Sequence, residues 1–290
     1  MEKIIALKIN DALHGLKIES VLEKHLKIST TLIRRLKRTE GGILLNEKEA
    51  RVIQRVSVGD ELTVRISGKE KENIIPVNLP IDVLWEDEDI IAVNKPRSMP
   101  THPSKRHQRD TLANRIIYYL GQKSSFHAIT RLDTDTSGVV LIAKNPIAAA
   151  QLTEDIKKRK ISKEYIAAVN GVPPTVCGVV DAPIKKKEHS GILRCVSPHG
   201  KEAVTEYEVE RRCGEISLVK LRPLTGRTHQ LRVHMSYIGT PIYGDSMYGA
   251  PQTGEKTRLH CCKITFNHPI TKEKITVSAP FPDDITDFCV

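Results

Sequence analysis

The sequence predicts an α+β chain of two parts: a small amino-terminal unit over residues 12–66, and a larger unit over 81–290 built on a mixed, mainly antiparallel sheet. Three observations carry this. The chain has 290 residues, and at roughly 150 residues per domain that makes room for about two domains. A polar stretch at 67–80, SGKEKENIIPVNLP, has two prolines at its end and reads as a linker. Beyond it, short β-type runs and helix patterns lack the regular alternation of a doubly wound parallel sheet.

Within the first unit, Ile18, Val21, Leu22 and Leu26 recur at helical spacing. A second helix is expected from about Thr30, with Ser29 as its N-cap. On a wheel of about 100° per residue, Leu32, Ile33 and Leu36 share one face. Arg34, Arg35, Lys37 and Arg38 fill the opposite arc, and Gly41-Gly42 ends the helix. GILLNEKEARV reads as a hairpin. In GDELTVRI, Leu62, Val64 and Ile66 alternate as in a half-buried strand. The cluster of cations is either a solvated face, as most charged faces are, or a phosphate-binding one. Phosphate binding would weaken steeply with salt, because it releases condensed counterions.

In the second unit VLWEDEDIIAVNKP and GVVLIAK read as strand-forming, and PIAAAQLTEDIKKRK as helical. Tyr165 opens a strand-like run, YIAAV. Leu231, Met235 and Ile238 form a helical stripe that Gly239 closes, which puts Arg227 in the first turn. A cation there opposes the helix dipole, so Arg227 calls for a tertiary partner.

The net charge is +10, which favours a polyanionic partner, either nucleic acid or an anionic membrane surface. No apolar run approaches the roughly 18 to 20 residues of a spanning helix. The opening MEKIIALKIND has acidic residues where a secretory signal would place its apolar core. Membrane-spanning and secreted classes are therefore disfavoured. Cys177, Cys195, Cys213, Cys261, Cys262 and Cys289 form no CxxC pair, and the vicinal two have poor disulfide geometry. All six are expected to be reduced thiols of a cytosolic protein. The spacings of His229, His234, His260, His268 and the cysteines fit neither HExxH nor paired CxxC units, so no metal is expected. Gly244-Asp245-Ser246 lacks the G-x-S-x-G elbow of a serine hydrolase.

The most informative segment is TRLDTDTSG at 130–138, followed by VVLIAK. A polar, charged loop runs straight into an apolar strand, a junction that can hold a carboxylate rigidly. Arg131 and Asp133 are two apart and could point to one side of an extended segment. Thr136 and Ser137 could hydrogen-bond the loop backbone. Taken alone, such a segment can equally be a turn with one surface ion pair.

The segment resembles the RLDxxTSG motif of the RluA-type pseudouridine synthases. Other pieces resemble that family in the same order: Trp85 to Pro96 (WEDEDIIAVNKP), Ile161 to Tyr165 (ISKEY), and Gly226 to His234 (GRTHQLRVH). So do Gly244-Asp245 with Tyr248-Gly249, Leu259-His260, and Phe266 to Pro269. The resemblance covers about 81–290. Thr130 stands where many members have His, and His127 is out of register with it. Residues 12–66 resemble the S4 RNA-binding domain: two short helices, a glycine-bounded hairpin, an LxN turn and a VxxGDxLxV ending.

The resemblance implies an isomerase acting on uridine in structured RNA, with 23S ribosomal RNA as the expected substrate and transfer RNA as the other candidate. The N1–C1′ bond breaks, the base turns, and C5 rejoins the ribose. Nothing is oxidised and no water enters the product, so no cofactor is implied. It further implies that Asp133 is the catalytic carboxylate, by covalent attack or as a base on the sugar, and that Arg227 is its ion-pair partner, keeping it ionised. Tyr165 would stack on the target base and assist proton removal at C5. Arg131 would fill the gap left by the extruded uridine, and Lys163 would touch a phosphate, as would Arg34, Arg35 and Arg38. A cytoplasmic monomer is expected. Two other readings are an RNA-binding module without catalysis and a glycosidic hydrolase. The hydrolase would need two carboxylates in divided roles, and Asp135 sits too close along the motif to serve as the second.

Overall fold

The structure is a computed structural model that describes residues 2–26, 28, 30–67, 74–121, 125–251 and 254–286. The amino-terminal unit comprises β1 (Glu2–Lys8), α1 (Ile18–Ser20), α2 (Thr30–Leu36), β2 (Ile43–Leu45), β3 (Lys48–Glu49) and β4 (Glu61–Ser67). Its sheet has the order β1-β4-β2-β3. β1 pairs antiparallel with β4 from Glu2↔Ser67 to Lys8↔Glu61, so the sheet takes in residues before position 12.

Ile18, Val21 and Leu22 are fully buried, in keeping with their spacing. After α1 the helix widens into a π turn over Val21–His25, where the Leu26 N–H donates to the Val21 carbonyl. On α2, Leu32, Ile33 and Leu36 are buried, Arg34 is exposed and Arg35 is half-buried, while Lys37 and Arg38, just past its end, are exposed. Ser29, the expected N-cap, lies outside the described residues, as do residues 68–73 of the expected linker. The remainder of that stretch lies on the second unit: the Val77 N–H donates to the Asn114 carbonyl, and the Asn114 side chain donates to the Ile75 carbonyl. Between β2 and β3, Asn46 and Glu47 both have left-handed φ, +51° and +66°, which suits a tight two-residue hairpin turn. Leu62, Val64 and Ile66 of β4 point into the core.

The second unit begins with β5 (Val83–Glu86), β6 (Ile90–Lys95), α3 (Leu112–Leu120), β7 (His127–Ala128), β8 (Ser137–Ala143), α4 (Pro146–Lys157) and β9 (Ser162–Asn170). Next come β10 (Cys177–Asp181), β11 (Ile184–Lys186), β12 (Arg194–Val196), β13 (Val204–Cys213) and β14 (Ile216–Pro223). It ends with α5 (Gln230–Tyr237), β15 (Leu259–Asn267), β16 (Lys274–Ser278) and α6 (Asp283–Thr286). The large sheet has the order β10-β13-β14-β9-β15-β8-β6-β5, with β16 on β15 and β7 on β8. Among the described strands, β15 and β8 alone pair in parallel. β11 and β12 form a separate hairpin.

β8 is buried along its whole length, which is why it reads as a continuous apolar run. α4 starts where the Asn145 side chain accepts from the N–H groups of Ile147 and Ala148, with Pro146 in its first turn. Its Ile147 packs into the amino-terminal core. Cys177, Cys195, Cys261 and Cys262 are free thiols. Cys213 is disulfide-bonded, against the expectation of reduced thiols throughout. No helix among the described residues is long and apolar enough to cross a membrane.

Gly138 is the tightest point of the sheet. Its φ is +110°, which L side chains avoid. A Cβ there would also collide with the Cys261 backbone on the paired β15. Gly138→Ala is therefore expected to cost about 2–4 kcal/mol, combining backbone strain with overpacking. Urea unfolding measures this, and a variant as stable as the wild type would show that the two strands can part there at no cost.

Candidate active site

The loop of residues 130–136 is fastened at each step before it enters β8. The Thr130 hydroxyl accepts from the Leu141 N–H at 2.9 Å. Leu132 turns inward, and its carbonyl accepts from the Thr101 hydroxyl at 3.0 Å. Thr134 offers its carbonyl to the Met99 N–H and to the Lys95 ammonium, each at 3.2 Å. The Thr136 N–H closes a turn onto the Asp133 carbonyl at 3.1 Å. Ser137 and His260 hydrogen-bond at 2.9 Å across the parallel pair. Thr130 is thus a buried structural hydroxyl.

With the loop fixed, Arg131 and Asp133 both line one cleft of about 350 Å³. Tyr165 and Lys163, two apart on β9 and so on one face, line it too, as does Arg227. Five sequence-predicted residues therefore meet. Arg34, Arg35 and Arg38 lie apart from them, grouped around a concavity on α2.

The ion pair differs from expectation. Arg227 directs its Nε to the Glu202 carbonyl at 2.7 Å rather than to Asp133. The reason is local. α5 begins only at Gln230, because His229 before it takes a left-handed conformation with φ +58°. Arg227 therefore lies on the preceding loop, which Gln230 braces by accepting from the Arg227 N–H at 3.0 Å. The cation facing the carboxylate is Arg232, in the first turn of α5. Its Nη1 is 3.7 Å from Asp133 Oδ2, and His229 Nε2 is 3.8 Å from the same oxygen.

Arg232 is nearly sealed from solvent. Nε and Nη2 bind both oxygens of the equally buried Asp245, at 2.6 and 2.7 Å. Burial is the largest single effect and works against the Arg232 charge, but the hydrogen bond and charge of Asp245, with Asp133 and Tyr248, together outweigh it and raise the pKa above the usual arginine value. The guanidinium also lies over the Tyr248 ring, 5.1 Å from its centroid. The Tyr248 hydroxyl hydrogen-bonds His229 Nδ1 at 2.7 Å and accepts from the Arg194 N–H at 3.1 Å. Burial lowers the His229 pKa, with Asp133 pulling the other way.

Sequence reasoning missed Arg232, His229, Asp245 and Tyr248 as site residues. The available signal was a charge set among Leu231, Val233 and Met235.

Tyr165 is buried and pairs across strands with Cys261. Burial above all, then Cys261 and Asp133, pushes the phenol pKa well above its usual value, so Tyr165 is neutral at physiological pH.

The chain resembles known proteins throughout. The family model described as RNA pseudouridylate synthase matches residues 89–237. An uncharacterized RNA pseudouridine synthase, YjbO of Bacillus subtilis, is 36% identical, over 90% of this chain and 94% of that protein. Ribosomal large subunit pseudouridine synthase D of Vibrio parahaemolyticus is 35% identical, over 80% of this chain and 76% of that protein. The solved structure of human RNA Pseudouridylate Synthase Domain Containing 4 is 27% identical with a TM-score of 0.59, covering 71% of this chain and 91% of that one.

Lys95 supports this site from below. It is fully buried, and its three N–H groups go to the carbonyls of Pro96 (2.9 Å), Met99 (2.7 Å) and Thr134 (3.2 Å). Burial lowers its pKa to about 7, against the pull of Asp135 and Asp133. The unfolded chain, titrating near 10.5, holds more protons between those two values. This group's contribution to stability therefore rises with pH across that window, by up to about 1.4 kcal/mol per unit. Urea unfolding across the window should show the wild type gaining on Lys95→Met as pH increases. Parallel curves would mean that Lys95 does not titrate there.

Proposed function

The chain belongs to the RluA-type RNA pseudouridylate synthases and is an isomerase of uridine in RNA, and we propose that it modifies large-subunit ribosomal RNA with Asp133 as the carboxylate that acts on the ribose. The observation that carries this is the convergence of Asp133, Tyr165, Arg131 and Lys163 in one cleft, with Asp133 facing Arg232 and His229. The named function of the Vibrio relative supports the ribosomal substrate.

The reaction begins with a uridine swung out of its stack, which costs a few kcal/mol. Arg131, exposed at the mouth of the cleft, fills the space left in the RNA. Asp133 lies where the ribose enters, its carboxylate partly open to solvent and backed by two nitrogen groups. It either bonds to C1′ or takes a proton from the sugar, and the N1–C1′ electrons leave with the base in both cases. C5 then joins C1′, displacing the Asp133 oxygen on the first route or with Asp133 returning the sugar proton on the second, and the hydrogen count is restored when the C5 proton is lost and N1 gains one. Tyr165, held neutral, packs against the base and serves as a hydrogen-bonding phenol rather than as a phenolate. The amino-terminal unit, read as S4-like, presents Arg34, Arg35 and Arg38 of α2 to the RNA backbone.

Asp133→Asn keeps the side-chain shape and removes the charge. It should lower pseudouridine formation by roughly three orders of magnitude or more while RNA affinity is kept. A variant as active as the wild type would remove Asp133 from the mechanism. Changing Arg34, Arg35 and Arg38 together to Gln should weaken RNA binding and flatten the slope of log K against log salt by about 0.7–0.9 for each phosphate that is no longer neutralised. An unaltered slope would assign RNA binding to another face. Mapping pseudouridine in RNA from cells with and without the protein identifies the nucleotide.

A further inference from the structure

Four cations line the cleft, and three have partners or lie open. Arg232 is committed to Asp245 and turned to Asp133. Arg227 donates to the Glu202 carbonyl. Arg131 is exposed at the rim. Lys163 is different. Its side chain is half-buried in the cleft wall beside Tyr165, and among the described residues its ammonium has neither a hydrogen bond nor a carboxylate partner. Burial lowers its pKa, and its electrostatic neighbour, the Cys261 thiol, is pushed up to about 12 by burial and so carries no charge. The cleft it lines also includes the apolar side chains of Leu259, Pro223 and Ile129. A cation held in such surroundings without an anion is costly. Preorganised positive charge in a sheltered site is most effective where negative charge develops during the reaction.

The pseudouridine reaction creates such a charge. When the N1–C1′ bond breaks, its electron pair stays on the ring, and the detached uracil is an anion with charge spread over N1, O2 and O4. Both routes open to Asp133 release this same anion. It must be held while it turns, before C5 joins C1′. We propose that Lys163 is a catalytic residue whose ammonium holds the detached uracil anion through a ring carbonyl oxygen while the base turns in the cleft. This rests on the pseudouridine reading above. Lys163 keeps its own proton throughout. A phosphate contact, the expectation from sequence, would suit an exposed ammonium better than one set beside Tyr165.

The test compares full-length wild type with Lys163→Met on the mapped substrate RNA, carrying either uridine or 5-fluorouridine at the target position. Fluorine stabilises the departing anion and lowers the need for a cation. Single-turnover loss of the N-linked nucleoside is read at saturating enzyme, with RNA binding measured separately. Lys163→Met should slow the uridine reaction by at least about 100-fold and the fluorinated one by about tenfold or less. RNA affinity should stay within about threefold, and Lys163→Arg should recover part of the rate. Equal losses on both RNAs would make Lys163 structural and overturn the proposal. Weakened binding with an unimpaired single-turnover rate would return it to phosphate contact and also overturn it. If the Met variant does not fold, Lys163→Gln carries the same comparison. A wild type that converts no RNA uridine would overturn the parent reading and this proposal with it. An active wild type matched by Lys163→Met would overturn this proposal alone.

Discussion

The arrangement of the cleft depends on the fork of Arg232. Two of its nitrogen groups are filled by Asp245, which leaves Nη1 turned to Asp133. A buried guanidinium without a carboxylate would be expensive, and the bidentate pair both offsets that cost and fixes the plane of the group. Tyr248 lies beneath the same guanidinium and holds His229, so both nitrogen groups that face Asp133 are positioned by one assembly. The left-handed backbone at His229 belongs to it as well. Strain of this kind persists only where the surroundings over-determine it.

Asp133 itself is placed by groups that stand behind the cleft. Thr101, Thr130 and Lys95 fasten the backbone of the loop, and Gly138 lets β8 approach β15 closely enough for Ser137 to reach His260. Rigid support lies on the sheet side, and the Asp133 carboxylate and Arg131 open toward solvent. Tyr165 is neutral because it is buried beside Cys261, and partial burial lowers the Lys163 pKa, with no hydrogen bond or carboxylate on its ammonium among the described residues. On the proposed reading, both are tuned by the same feature, the face of β9 that lines the cleft.

Much of this is legible in the sequence. The alternation of Leu62, Val64 and Ile66, the apolar run of β8, and the Asn145-Pro146 start of α4 each have one local cause. β1 is not legible, because its place at the sheet edge is set by pairing with β4, far along the chain. The motifs lead to Asp133, Tyr165, Arg131 and Lys163, and these do share a cleft. They do not lead to Arg232. The apolar stripe from Leu231 extends the helix back to Arg227 on paper, whereas the backbone at His229 starts it later. The pairing of Arg232 with Asp245 has no local signature, since it spans a turn that only the fold closes.

The parallel pairing of Ser137 and Gly138 with His260 and Cys261 has a consequence for synthesis. The bonded side chains of Ser137 and His260 are 123 positions apart, so the contact closes only after most of the polypeptide has left the ribosome. Pairings of such long range form late and slowly. A growing chain can therefore pair the local strands of its amino-terminal unit before β15 arrives. The Asp133 loop gains its support from β15 only when that strand docks beside β8.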